Sequence, residues 1–222
     1  METTVVYYTS NSEDEPFGSR IRERLLGVMG DLPLVSVSQK PLPGFGKNIC
    51  VGEHDNCYGN LWRQVFIALK EVETTWVLTA EADTLYPPEY FTFSPPRRAP
   101  YYRYAPVYAH YNLGKDGDLE EPKFFFKGTS NGVQIINRDY WLAIMAWTLD
   151  GEKEWFSKND PVPPSPRVHT DKRYLWKSVN PAIGFKTGRG VNAYSQVSKR
   201  KAPLYELPYW GSAENLRQEM FG

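Results

Sequence analysis

Glu81 and Asp83 are the residues of this chain whose type and spacing most plainly invite chemistry. They close the run Val77-Leu78-Thr79-Ala80-Glu81-Ala82-Asp83-Thr84, in which an apolar strand leads straight into two carboxylates spaced i, i+2. Side chains two apart on an extended segment share one face. In open α/β sheets, ligands bind outside the carboxyl ends of the strands. Hard divalent cations take oxygen ligands, commonly one or two carboxylates together with substrate phosphates. The pair is therefore a candidate site for Mg²⁺ or Mn²⁺ carrying a diphosphate, where a Lewis acid offsets the negative charge of a departing group. By itself Glu-x-Asp is a frequent accident, and a solvated strand-end turn is the simpler account until context is added.

Other clusters are weaker. Cys50 and Cys57 flank His54, but no second Cys/His pair follows, and structural zinc takes four ligands. Two reduced thiols are the better reading. Charge offers more. The 26 basic and 26 acidic residues cancel, yet from Lys172 to Tyr205 there are eight basic residues and no acidic one. A basic stretch on a neutral protein suits an anionic ligand, a diphosphate or a nucleic-acid backbone, with a solvated face as the alternative.

The elements needed to present the acid pair can be read upstream of it. Thr3–Thr9 (TTVVYYT) reads as a strand, Ser19–Met29 as a helix, and Leu32–Val37 as a second strand, followed by turn chemistry over Pro41–Gly46. Tyr58, Leu61, Trp62, Val65, Phe66 and Leu69 form an apolar stripe at helical period. Thr75–Ala80 is apolar with little alternation, as in a strand covered on both faces. Three strands joined by two crossover helices make a Rossmann-like α/β half. Beyond it, strands are expected at Tyr102–Ala109, Lys123–Phe126 and Gly132–Asn137, a helix at Arg138–Trp147, a Pro-rich loop at Asn159–Arg167 and a last strand at Ala182–Lys186. No linker divides the 222 residues, and 41% apolar content is too high for a disordered chain. No apolar run approaches the ~18 residues of a membrane span. Met1–Val6 lacks the features of a secretory signal, which gives a cytoplasmic expectation.

In this context the chain resembles GT-A glycosyltransferases, whose nucleotide-sugar half ends its central strand in an acidic x-spaced pair. It is more closely similar to small GT-A proteins of tailed bacteriophages, through VSVSQKPL, NICVGE, the Tyr58–Leu69 helix, EADTLYPPEYF and GVQIINRDYW. The resemblance covers residues 3–195 and departs from the commonest pattern in having Glu81 where many members have Asp. It implies one GT-A domain with a mixed central sheet, residues 1–93 binding the nucleotide sugar and 94–222 the acceptor. It further implies a divalent metal on Glu81 and Asp83 and a UDP-linked donor. Thr9, Ser10 and Asn11 are expected beside the nucleoside, Gln39 and Lys40 at base or ribose, and Arg63 near the diphosphate. Where many members carry a late metal-binding His, GFKTGRGVNAYS has Lys186 and Arg189, cations that neutralise phosphate without ligating metal. An inverting reaction needs a general base at the acceptor hydroxyl. Asp171 and His169 are the candidates, then Asp139, which is also explained as an acid in a first helical turn.

The acceptor stays open among three readings. A hydroxymethylated pyrimidine in phage DNA suits the basic stretch and its interleaved Tyr174, Trp176, Phe185 and Tyr194. A surface glycan or lipid-linked sugar suits the same aromatic residues. In the third reading the chain is a non-catalytic nucleotide or nucleic-acid binding module.

Overall fold

The computed structural model describes residues 2–96, 99–113, 119–161, 163, 174–191 and 197–222. The elements, in chain order, are β1 (Thr3–Thr9), α1 (Phe17–Val28), β2 (Leu34–Ser38), β3 (Lys47–Cys50), α2 (Tyr58–Glu71), β4 (Trp76–Glu81) and β5 (Thr84–Leu85). A 3₁₀ turn at Pro88–Tyr90 precedes β6 (Tyr101–Leu113), β7 (Leu119–Gly128), β8 (Gln134–Asn137), α3 (Arg138–Thr148) and β9 (Leu175–Phe185). The chain ends with β10 (Glu206–Leu207), β11 (Gly211–Ser212) and α4 (Ala213–Phe221).

Among the described residues nine strands form one mixed sheet in the order β3-β2-β1-β4-β8-β6-β9-β5, with β7 on β6. β1 is parallel to both β2 and β4, and β2 to β3. This is the Rossmann-like half, and its β-branched and aromatic strands are buried throughout, from Val5 to Tyr8 and from Trp76 to Ala80. The direction changes at β8, which pairs antiparallel with β4 through Leu78↔Ile135 and Trp76↔Asn137. The start of β8 therefore lies beside the carboxyl end of β4. β6 is long enough to change partners on one edge, meeting β8 with Tyr101–Arg103 and β7 with Val107–Leu113, while β9 runs parallel along its other edge. The fold is thus a mixed α/β architecture with a Rossmann-like half.

Helices cover the sheet where their apolar faces allow. α2 buries Trp62, Val65, Ala68 and Leu69 against β1, β2 and α3. α3 starts at Asn137, whose side chain accepts the Tyr140 N–H as an N-cap. On the other side, Tyr90 is wedged between Tyr86, Phe91, Tyr104 and Trp176 in an aromatic cluster. A third cluster packs Phe17 and Ile21 of α1 against Phe185 and the α4 residues Leu216 and Met220. Among the described residues no helix is long and apolar enough to cross a membrane.

Candidate active site

The carboxyl ends of β1 and β4, the start of β8 and the residues after β7 and β9 converge on a cleft of about 820 Å³. Glu81 and Asp83 both line it. Glu81 is the last residue of β4, and Asp83 sits in the two-residue turn before β5. That turn is pinned to β9 because Asp83 O accepts the Phe185 N–H at 2.7 Å, and Thr84 pairs with Gly184.

Two tyrosines fix Glu81. The Tyr8 hydroxyl, one strand away on β1, donates to Glu81 Oε1 at 3.1 Å. Burial, and then the Glu81 charge, push the Tyr8 phenol far above its ordinary value, so it remains a donor at neutral pH. The Tyr86 hydroxyl accepts the Glu81 N–H at 2.9 Å and donates to Gly132 O at 2.9 Å, tying β4 to the start of β8. Burial raises the Glu81 carboxyl above the usual range, and the nearby Asp83 adds to this. Asp83 Oδ1 accepts the Thr84 hydroxyl at 3.0 Å, and its Oδ2 faces Lys186 Nζ at 3.7 Å.

The two carboxylates open on one cleft, and among the described residues no third His, Cys, Asp or Glu joins them as a metal-binding group. That donor set fits a divalent ion whose remaining positions are filled by phosphate oxygens and water. It does not fit a closed, all-protein metal cage. Cys50 and Cys57 are both free thiols, and the Cys50 Sγ faces Gln39 O at 3.5 Å.

The remaining sequence-predicted residues divide clearly. Thr9, Ser10, Gln39 and Lys186 line the cleft. Asn11, in the left-handed region at φ 53°, uses its Oδ1 to accept the backbone N–H groups of Gln39 (2.8 Å) and Lys40 (2.9 Å). It thereby joins the loop after β1 to the loop after β2, a positioning role. Lys40 points to Glu53 at 3.7 Å, and Arg189 pairs with Asp14 at 2.6 Å at the rim, while the adjacent Gly190 and Val191 line the cleft.

Arg63 is directed elsewhere: its guanidinium donates to Lys153 O, outside the cleft lining. The reason is helical phase, since Arg63 and the cleft-lining Gln64 are neighbours on α2 and leave the helix about 100° apart. Asp139 is exposed and pairs with Arg138 at 2.7 Å. It follows β8 at Asn137, which sits opposite Trp76, so it lies at the far end of β4 from Glu81 and the structure does not bring it to the cleft. His169 and Asp171 lie outside the described residues.

Three cleft residues carry charge or positioning that the sequence did not signal. Lys127, at the end of β7, donates to Ser130 Oγ at 3.0 Å; burial lowers its ammonium pKa, against the opposing pull of Glu81. Glu13 accepts the Thr187 hydroxyl at 3.0 Å, and burial, with Asp83 nearby, raises its carboxyl to about 7. Gln64 is buried on α2 and donates to Thr9 O at 2.9 Å.

No protein-family model matches the chain, and no curated protein sequence matches it. Among solved structures, similarity extends to HddC from Yersinia pseudotuberculosis (TM-score 0.47, 14% identity, 83% of this chain and 93% of that one). It also extends to bifunctional IspDF from Campylobacter jejuni (TM-score 0.40, 9% identity), where it spans 69% of this chain and under half, 46%, of the other. A third is a glycosyltransferase involved in glycosylation of the major capsid of PBCV-1 (TM-score 0.37, 12% identity, 71% of each chain). At this distance the chain's own geometry has to carry the functional reading.

Proposed function

We propose that this chain is a metal-dependent glycosyltransferase of the GT-A type, moving a sugar from a nucleotide diphosphate to an acceptor hydroxyl. The observation that carries this reading is the presentation of Glu81 and Asp83, at the carboxyl end of a parallel strand, into one cleft of about 820 Å³ that also holds Lys127 and Lys186. The cleft is within the usual volume range of small-molecule and cofactor sites. When bound, a Mn²⁺ or Mg²⁺ ion supplies Lewis-acid stabilisation of the diphosphate. Tyr8 and Gly132 keep the Glu81 carboxylate in place, and the two lysines add positive charge where the leaving group develops negative charge. Thr9, Ser10 and Gln39 are the side chains available to a nucleoside, with UDP as the expected carrier.

For the acceptor we favour a 5-hydroxymethylated pyrimidine in DNA. Lys199, Arg200 and Lys201 follow Ser198, whose N–H donates to Phe126 O at 2.8 Å, one residue from the cleft-lining Lys127. Lys201 also lies over the Phe126 ring at 3.5 Å from its centroid. Basic and aromatic groups near a cleft suit a phosphate backbone and an extruded base.

The test is incubation of the protein with Mn²⁺, a panel of nucleotide sugars and hydroxymethylated DNA, followed by mass analysis of the nucleosides. A hexose or pentose adduct is expected with wild type and none with Asp83→Ala. Hydrolysis of a nucleotide sugar without any DNA adduct moves the acceptor to a glycan. Full activity of Asp83→Ala overturns the site.

A further inference from the structure

The acid pair is already accompanied by cations in the free protein. Lys186 Nζ stands 3.7 Å from Asp83 Oδ2, and its side chain is only 15% exposed. Lys127 lines the same cleft, within electrostatic reach of Glu81 and Asp83 and of Lys186. Among the described residues, the other charged groups on the cleft wall are Glu13, Asp55 and Arg103. Glu13 is occupied by Thr187, and Asp55 accepts the Lys158 N–H at 3.0 Å. Around the pair itself, among the described residues, the ammonium groups of Lys127 and Lys186 oppose the two carboxylates, with Glu13 a further acid near Asp83.

That balance has a consequence for loading. A divalent ion arriving alone meets carboxylates whose charge is already offset by two ammonium groups, and those ammonium groups repel it. A diphosphate arriving alone meets the same two lysines, but also both carboxylates. Only when ion and diphosphate come together does each charge find an opposite partner. Lysine suits the exchange, because its ammonium is a point charge on a flexible four-carbon stem. The backbone need not move: Phe185, before Lys186, is buried and bonded to Asp83 O.

We propose that Lys127 and Lys186 form an ammonium clamp that balances the Glu81–Asp83 pair in the free protein and turns to the diphosphate on loading, so that divalent ion and nucleoside diphosphate bind as one unit. This rests on the metal site of the glycosyltransferase reading.

The experiment titrates Mn²⁺, followed by the electron paramagnetic resonance of the free ion, into wild type, Lys186→Gln, Lys127→Gln and Lys186→Arg. Each is titrated alone and with UDP, GDP, CDP or dTDP, with circular dichroism as the check on folding. Removing a unit charge a few ångströms from the ion should tighten Mn²⁺ binding to either Gln variant alone by roughly fivefold or more. The gain in Mn²⁺ affinity that a nucleoside diphosphate gives wild type should shrink by at least the same factor. Lys186→Arg, which keeps the charge, should bind Mn²⁺ alone as wild type does. If Lys186→Gln does not fold, Lys127→Gln carries the same expectation. Mn²⁺ binding that is equal or weaker in the folded Gln variants overturns the clamp and leaves the metal site standing. If neither wild type nor variants bind Mn²⁺ with any of the four nucleotides, the metal site falls and the clamp with it.

Discussion

The carboxylate of Glu81 lies directly against the bare Cα of Gly132, so close that any Cβ built there would overlap its oxygens. The contact follows from topology: antiparallel pairing of β8 with β4 brings the residues before Gln134 alongside the last residues of β4. Tyr86 fixes the same approach by bridging Glu81 N–H and Gly132 O. Gly132 is thus required for space rather than for an unusual φ, since it is absent from the positive-φ glycines.

Gly132→Ala should therefore act on the site through Glu81. The methyl group must displace the carboxylate or part β4 from β8, an overpacking cost of about 1–3 kcal/mol. The expected result is loss of Mn²⁺-dependent transfer with a modest fall in thermal midpoint. Shortening the acid in the double variant Gly132→Ala/Glu81→Asp should recover part of the stability, giving a coupling energy in a double-mutant cycle. Strictly additive effects would show that the two residues do not meet.

Arg63 and Gln64 offer a paired test of the helix phase. Arg63→Ala should leave nucleotide binding within about twofold of wild type, because the guanidinium bonds Lys153 O outside the cleft. Gln64→Ala removes a buried amide from Thr9 O and should cost roughly 1–3 kcal/mol of stability while weakening nucleotide binding. Calorimetric titration with UDP and Mn²⁺ reads both. A tenfold loss on Arg63→Ala would place the diphosphate on the other side of α2.

The contrast between these two residues also explains what could be read in advance. The parallel half is legible because its strands are apolar runs and α2 carries a periodic stripe. The acid pair is legible because a strand end is where such sheets bind ligands. β3 is not, since Lys47–Cys50 is a half-exposed edge whose order comes from Asn48, bonded to the hydroxyls of Ser36 and Ser38 at 2.9 Å. β9 begins at Leu175, not Ala182, because Pro181 falls inside the strand where its register on β6 shifts, between Ala105 and Val107. α4 is short and gains its stability from packing on α1 and β7, which no local pattern announces. Glu13 stands in a polar run and Lys127 directly follows Phe124-Phe125-Phe126, and the two join the cleft only because β7 and the loop after β1 end at the same edge.

Asn60 shows the same effect on a larger scale, being a polar residue of α2 that is nonetheless buried. Its Oδ1 accepts Phe156 N–H at 2.8 Å, and its Nδ2 donates to Phe156 O and Asp55 O, both at 2.8 Å. It staples the segment after α3 to the loop that carries Asp55 and Asn56 into the cleft. Asn60→Ala leaves two Phe156 backbone groups and the Asp55 carbonyl without this partner, and should lower stability by roughly 2–4 kcal/mol. Urea unfolding at neutral pH checks this. A loss below about 0.5 kcal/mol, the usual range for surface substitutions, would mean that the segment is held by Phe156 packing alone.

His110 sets the expected acid limit of the fold. It is 1% exposed on β6, with Nε2 3.0 Å from Ala213 O at the start of α4 and its ring between Phe124 and Phe185. Its Nδ1 has no hydrogen-bond partner among the described residues, so a second proton there would be buried without an acceptor. Burial accordingly pushes the imidazole down to about 4, against the pull of the Ala213 carbonyl. Above the unfolded value of 6.5 the ring is neutral in both states and contributes no slope. As pH falls below 6.5 the unfolded chain takes up a proton that the folded chain refuses, and stability declines until pH reaches about 4. The full interval corresponds to roughly 3 kcal/mol. Urea midpoints measured from pH 7 to pH 4 should fall less steeply for His110→Phe than for wild type, by up to that amount, even though the variant starts lower at pH 7 through loss of the Ala213 bond. Parallel declines in the two proteins would assign the acid sensitivity to the carboxylates instead.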